Sequence, residues 1–161
     1  MIYIAYGANM SKSSMMLRCP GAKVIGTGKI ENYLMTFKGC ATIEPKEGEI
    51  VPVVVWNITK ENEKELDRFE SYPHYYYKKK IKVVMDDGST EKGMVYIMQD
   101  NHDYALSFDG YVSGIRKSYK YWKFDIKQLE KSIQYSKDRE VKLDNKYTFN
   151  NSVYYNWVMD S

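Results

Sequence analysis

Ile2-Tyr3-Ile4-Ala5-Tyr6-Gly7-Ala8-Asn9 opens the chain with an apolar run that breaks at a glycine and an asparagine. So short an apolar run reads as a buried strand, and Gly7 and Asn9 read as the turn that ends it. Ser11 then serves as the N-cap of a short helix carrying Met15, Met16 and Leu17, which Pro20-Gly21 stops. Gly7 and Asn9 both tolerate φ > 0, so this turn is expected to present successive N–H groups as a small anion-binding concavity. The helix start behind it adds partial positive charge. The plainer alternative is a strand-to-helix connection that binds nothing.

Working outward, Val24, Ile25 and Ile30 begin a strand-rich region that continues through Leu34, Met35, Phe37 and Ala41 to Ile43. Gly26, Gly28 and Gly39 interrupt it and predict bulges or close backbone approach, as in a small barrel that must bend its strands. Val51 to Trp56 is dense in β-branched residues and reads as a central strand, with Pro52 expected at its start or on an edge. Thr59 caps a helix running from about Lys60 to Glu70, with Glu61 and Glu63 at its positive end and Pro73 beyond its finish. Tyr75 to Met85 and Gly93 to Met98 read as strands joined at Asp86-Asp87-Gly88. Apolar spacing predicts helices over Leu106–Tyr121 and Phe124–Tyr135, with Ile126, Leu129 and Ile133 on one face. From about Ser136 the chain is charged and then aromatic, and Tyr147–Phe149 with Val153–Tyr155 reads as a terminal hairpin. Repeats and low-complexity linkers are missing, so residues 1–161 read as one domain. Strands and helices mix without regular βαβ alternation, which favours an α+β fold.

Composition excludes several classes of function. The chain has 161 residues and is 43% hydrophobic, enough for a sizeable core. Its 24 basic residues nearly balance 21 acidic ones, which argues against nucleic-acid and anionic-membrane partners. Tyr75-Tyr76-Tyr77-Lys78-Lys79-Lys80 mixes aromatics with charge and has the makings of a single-strand stacking surface. An alternating strand with lysines guarding its edge is the stronger reading. Cys19 and Cys40 form no ligand cluster with His74 and His102, so neither metal nor zinc site is expected. They read as two free thiols, with one disulfide left open. The N-terminal run is broken and no window is long enough to span a bilayer, so a soluble, cytoplasmic protein is expected. The common elbow, phosphate-loop, zincin and dinucleotide motifs are missing.

Glu70 carries the most chemistry. It shares a helix face with Leu66, beside Phe69, and so points inward at the margin of the apolar side. A carboxylate in the last turn opposes the helix dipole, and partial burial also disfavours its charge. Both effects raise its pKa towards the range useful for general acid–base work. The alternative is an ordinary solvated glutamate.

These residues also fall in the order of a known family. The chain resembles the γ-glutamylcyclotransferase-like proteins, a group that includes the plant AIG2-like proteins and γ-glutamylamine cyclotransferases. The family's Y-G-S-N opening corresponds to Tyr6-Gly7-Ala8-Asn9, and a Cys-Pro-Gly-Ala stretch to Cys19–Ala22. Gly39–Ile43 matches a Gly-x-Ala-Thr-Ile segment and Val54–Trp56 a Val-Val-Trp strand. The family's L-D-x-x-E-G-x-P reads here as Leu66-Asp67-Arg68-Phe69-Glu70-Ser71-Tyr72-Pro73. The match runs from about residue 2 to residue 135 and leaves the tail from 136 to 161 uncovered.

The resemblance implies a small closed, mixed β-barrel with flanking helices and a cavity at one end. It implies conversion of a γ-glutamyl amide to 5-oxoproline and a free amine, with Glu70 as acid/base. Tyr6, Gly7, Ala8 and Asn9 would contact the substrate, along with Tyr76, Tyr77 and Tyr111, where the family tends to place tyrosines. The substrate's own α-amine is the nucleophile, so no cofactor or metal is implied. The implied partner is a small γ-glutamyl compound, and the oligomeric state stays open. Two residues depart from the pattern. Ala8 replaces a serine and lacks its hydroxyl, and Ser71 replaces a glycine after the glutamate, which costs strain if that position needs φ > 0. A non-catalytic binding module on the same fold is the alternative these departures raise.

Overall fold

The computed structural model describes residues 1–140. The expected terminal hairpin of Tyr147–Tyr155 lies outside them. Strands β1 (Ile2–Ala5), β2 (Lys23–Lys38), β3 (Cys40–Asn57), β4 (Tyr76–Met85) and β5 (Thr90–Met98) form a closed barrel in the order β1-β3-β2-β4-β5. Helices α1 (Lys12–Arg18), α2 (Lys60–Phe69), α3 (Asp109–Trp122) and α4 (Ile126–Asp138) surround it. Every pairing is antiparallel except β1 with β5, so the barrel is mixed. The expected α+β barrel is thus the observed architecture.

Long hairpins and short seams build the barrel. β2 and β3 pair from Lys23↔Asn57 to Lys38↔Cys40 around Gly39, whose φ of 80° makes the tight turn. Register shifts between Val24 and Gly26 and between Glu31 and Tyr33 bend this hairpin into the wall. The seams are brief: β2 meets β4 at Gly28↔Met85 and Lys29↔Val84, and β1 meets β5 at Tyr3↔Met94. A glycine sits at each. A Cβ on Gly28 would lie 2.5 Å from the Val84 carbonyl oxygen, and one on Gly93 would lie 2.5 Å from Ile2 Cγ2. Glycine is therefore what lets the strands approach closely enough to close the barrel.

Several expectations need correcting. Pro52 lies inside β3, opposite Lys29, and so not at the strand's start but at the local edge that was the other expected position. It is accommodated because β1 pairs with β3 only as far as Val54. On α1 only Met15 is buried, while Met16 and Leu17 are exposed. Leu106 stays outside α3, because Ala105 bridges to Lys38 and hydrogen-bonds to Gly39 and Phe37, holding this stretch extended. On α4 Leu129 is buried as expected and Ile126 is exposed; the rest of the buried face is Ser132 and Ser136. Small hydroxyls suit that face because Ser136 Oγ accepts from the Phe37 N–H of β2 at 2.8 Å and donates to the Ser132 carbonyl. The helix thus satisfies a strand N–H that would otherwise be buried unpaired.

Candidate active site

Helix α2 carries Glu70 and is fixed at both ends. At its start Thr59 Oγ1 accepts from the Asn62 N–H, and Asn62 Oδ1 accepts from the Thr59 N–H, a reciprocal capping box. Asn62 Nδ2 also donates to the Pro20 carbonyl, tying α2 to the chain just beyond α1. At the far end Glu70 is the C-cap and Ser71 follows with a φ of 49°. The Tyr72 N–H bonds to the Asp67 carbonyl at 2.9 Å and the Ser71 N–H to the Arg68 carbonyl at 3.2 Å. Those two bonds are the Schellman closure, which glycine fills most easily because its second-last residue must be left-handed. Ser71 occupies a glycine's place at a strain of about 1 kcal/mol, yet the closure is complete. A cis peptide bond joins Tyr72 to Pro73.

The side of α2 facing the barrel is held by charge. Lys78 of β4 pairs with Glu63 at 2.8 Å and Asp67 at 2.7 Å, and the Tyr96 hydroxyl of β5 donates to Asp67 at 2.6 Å. Lys78 of the Tyr75–Lys80 run is thus committed to α2, which agrees with the structural reading of that stretch.

These constraints deliver Glu70 into a cavity of about 190 Å³. The cavity also receives Tyr6, Gly7, Ala8, Asn9, Tyr76 and Tyr111. Tyr77 does not line it. Strand alternation sends adjacent residues to opposite faces, so only one of Tyr76 and Tyr77 can point inward, and it is the fully buried Tyr76. Sequence reasoning missed Arg18, Phe69, Tyr3, Tyr96 and Cys40, all of which line the same space.

Three tyrosine hydroxyls clamp the wall. Tyr6 donates to the Tyr96 carbonyl at 2.7 Å, Tyr76 donates to the Ala41 carbonyl at 2.8 Å, and Tyr111 accepts from the Ala41 N–H at 3.1 Å. Burial raises the pKa of all three, so they stay neutral. Burial likewise pushes the Cys40 thiol up to about 11, well away from a nucleophilic thiolate.

The loop differs in detail from its expectation. Gly7 has φ −117°, and residues Ala8–Met10 form a single 3-10 turn, so neither Gly7 nor Asn9 is left-handed. In place of a positive-φ nest the loop is the start of a 3-10 turn, whose first N–H groups make no bond within the turn. The first bonds of the turn run from Met10 to Gly7 and from Ser11 to Ala8. The N–H groups of Ala8 and Asn9 therefore have no acceptor among the described residues.

Glu70 is the one carboxyl among the described residues lining the cavity. Burial pushes its carboxyl up to about 8, with the Arg18 charge acting in the opposite direction. Among the described residues no group donates a hydrogen bond to it. Desolvation is thus the dominant cause, and the helix-end position adds to it in the same sense. Arg18 lies with its Cζ 3.4 Å from the centre of the Phe69 ring and donates from Nη1 to Asn9 Oδ1. Asn9 Nδ2 in turn donates to the Tyr3 hydroxyl at 3.0 Å. A second, wider groove of about 560 Å³ runs between α1 and α3 and shares Ala8 and Tyr111 with the first. Groups of His, Cys, Asp and Glu that could hold a metal ion are absent among the described residues.

The model of the family described as "Gamma-glutamyl cyclotransferase, AIG2-like" matches residues 3–121. The chain belongs to this family. Among solved structures, one described as a γ-glutamyl cyclotransferase superposes with a TM-score of 0.74 at 22% identity, covering 98% of each chain. An uncharacterised human protein gives 0.74 at 23% identity, covering 95% of this chain and 96% of that one. A mouse AIG2-like protein gives 0.54 at 19% identity over 67% of this chain and 87% of its own. At these identities the likeness concerns the fold. No curated protein matches the chain. In this AIG2-like barrel, then, the loop and the helix end that carry the family's motifs meet in one cavity, while the alanine and serine departures leave that meeting intact.

Proposed function

We propose that the protein is a γ-glutamylcyclotransferase-type enzyme, releasing 5-oxoproline and a free amine from a γ-glutamyl amide. The observation that carries this reading is the Glu70 carboxyl, desolvated, without a hydrogen-bond donor, and sharing a small cavity with unspent loop N–H groups. Its pKa of about 8 is close to that of a free α-amine, roughly 8. Proton transfer between the two is then nearly balanced, which is what a general base for an amine nucleophile requires.

The α-amine attacks the γ-carbonyl carbon while Glu70 takes its proton. A C–N bond forms, the ring closes, and negative charge collects on the carbonyl oxygen. Loop N–H groups at Ala8 and Asn9 donate to that oxygen or to the substrate carboxylate. The protonated Glu70 then delivers the proton to the departing nitrogen, the old C–N bond breaks, and 5-oxoproline remains. Attack within one molecule means that holding the glutamyl chain folded supplies much of the acceleration. The cavity is smaller than a drug-sized pocket of roughly 300–1,000 Å³, which fits recognition of the glutamyl end alone. The groove between α1 and α3, which meets the cavity at Ala8 and Tyr111, gives the leaving amine room.

The test is 5-oxoproline release from a panel of γ-glutamyl amino acids and amines, run at high enzyme concentration beside Glu70→Gln. Turnover by wild type and its loss in a folded variant is expected. Absence of product from every wild-type reaction would overturn the catalytic reading. A binding module without turnover would instead show ligand-raised Tm and no product.

A further inference from the structure

In base catalysis by Glu70 the Arg18 charge only moderates the rise of the carboxyl pKa, yet among the described residues Arg18 is the one cation lining the cavity. It is the last residue of α1, and its guanidinium is partly buried against Phe69. None of the ion pairs among the described residues includes it. Its one hydrogen bond there goes to the neutral amide of Asn9. A guanidinium carries five N–H donors in a rigid fork, so most of its capacity is unspent. Burial lowers its pKa, the cost of moving a cation out of water, which the nearby Tyr3 and Glu70 offset only in part.

Glu70 is a poor counter-ion for it. Burial holds the carboxyl pKa up at about 8, so it is mostly protonated at neutral pH, and no salt bridge among the described residues joins the two groups, although each charge is felt by the other. A γ-glutamyl compound brings one anion to this end of the molecule, its α-carboxylate. Carboxylates match the guanidinium fork with two parallel hydrogen bonds. The bond from Nη1 to Asn9 also places the guanidinium beside the Ala8–Asn9 loop, so an anion bound to one is in reach of the other. We propose that Arg18 is the counter-ion of the substrate's α-carboxylate, and that through it the cavity selects acyl groups ending in an α-amino acid. The substrate part of this inference rests on the function proposed above. It sets the site against a 4-aminobutyryl amide, which has the same nucleophile and would cyclise to 2-pyrrolidinone but carries no carboxylate.

The experiment compares two cyclised products as ligands, 5-oxoproline and 2-pyrrolidinone, by titration calorimetry on the full chain. They differ by the carboxylate. Wild type is expected to favour 5-oxoproline roughly tenfold or more, the worth of a charge-assisted hydrogen bond. Arg18→Gln is expected to bind the two nearly alike. Arg18→Lys keeps the charge but not the fork, and is expected to retain a reduced preference; it also serves if the glutamine variant fails to fold. No carboxylate preference in wild type, or an undiminished one in the variants, overturns the inference. The readout is a ratio of two affinities, which a general loosening of the site would not move. Carboxylate preference in a protein that releases no 5-oxoproline would keep this inference and sink the catalytic reading. Turnover without carboxylate preference would do the reverse.

Discussion

Replacing Glu70 by Gln is expected to stabilise the folded protein, by an amount that grows with pH. The carboxyl titrates at about 8 against a usual 4.5, with burial as the main cause. Because the folded pKa lies above the unfolded one, the native state holds this proton more tightly. The resulting stability is full below the unfolded value of 4.5 and is lost as pH rises through the folded value of 8. Each pH unit in that window is worth about 1.4 kcal/mol, which caps the loss at ~5 kcal/mol above pH 8. Glu70 keeps partial exposure to the cavity, so water reaches the ionised form and screens part of that cost. We expect about 2 kcal/mol. Glutamine matches the shape but does not titrate. Any cost of burying its amide is the same at every pH and cancels from the trend. Urea unfolding of both proteins at pH 5, 7 and 9 reads the effect as a midpoint difference at unchanged slope. That difference should be small at pH 5 and widest at pH 9. A difference that stays constant, or narrows as pH rises, would refute the claim that Glu70 is desolvated in the native state.

The same carboxyl sets the expected pH–rate profile: kcat/KM for a γ-glutamyl substrate should rise through an acid limb near 8. Arg18 lowers the Glu70 pKa, so Arg18→Gln should move that limb to higher pH, measured on whichever substrate the panel yields. Glu70→Gln should cost roughly 10²- to 10⁴-fold in kcat, the usual worth of a positioned acid/base. Ser71→Gly should raise stability by about 1 kcal/mol in chemical denaturation, because glycine takes the left-handed φ of 49° without strain. Gly28→Ala should lower stability by about 1–3 kcal/mol, since its Cβ would meet the Val84 carbonyl oxygen at 2.5 Å and Val83 Cγ1 at 2.8 Å where β2 joins β4.

What could be read from the sequence was mostly local. The two ends of α2 are marked by Thr59 and Pro73, and the β4–β5 hairpin by Asp86-Asp87-Gly88, because caps and turns are decided by neighbouring residues. Helical spacing likewise brought Glu70 inward from its separation to Leu66. Barrel closure was less legible. The β1–β5 and β2–β4 seams rest on one and two register pairs, and their sequence trace is little more than Gly93 and Gly28. Tyr75-Tyr76-Tyr77 left the parity of β4 undecided, since three equal residues fit either face, and only pairing such as Tyr76↔Met98 assigns Tyr76 to the interior. Arg18 was hidden for another reason. Its local setting is a basic residue in the last turn of a helix, which the dipole explains without a ligand. Its role in the cavity depends on Asn9 and Phe69, which reach it from the loop and from α2.

The cavity therefore holds two groups that are each uncomfortable without a ligand. Glu70 resists ionising because burial desolvates it, and Arg18 stays charged without a salt-bridge partner among the described residues. A fold keeps such groups only where the backbone leaves them no escape. The capping box and the Schellman closure fix α2 at both ends, while Phe69 and Asn9 hold the guanidinium. In the reading developed above, the glutamyl end of the substrate supplies both missing partners at once, its ammonium for the ionised Glu70 and its carboxylate for Arg18. An acyl group lacking either charge would relieve only half of the electrostatic cost. Selectivity for the γ-glutamyl group would then arise from the site's own instability when empty, and discrimination among leaving amines would fall to the separate groove between α1 and α3.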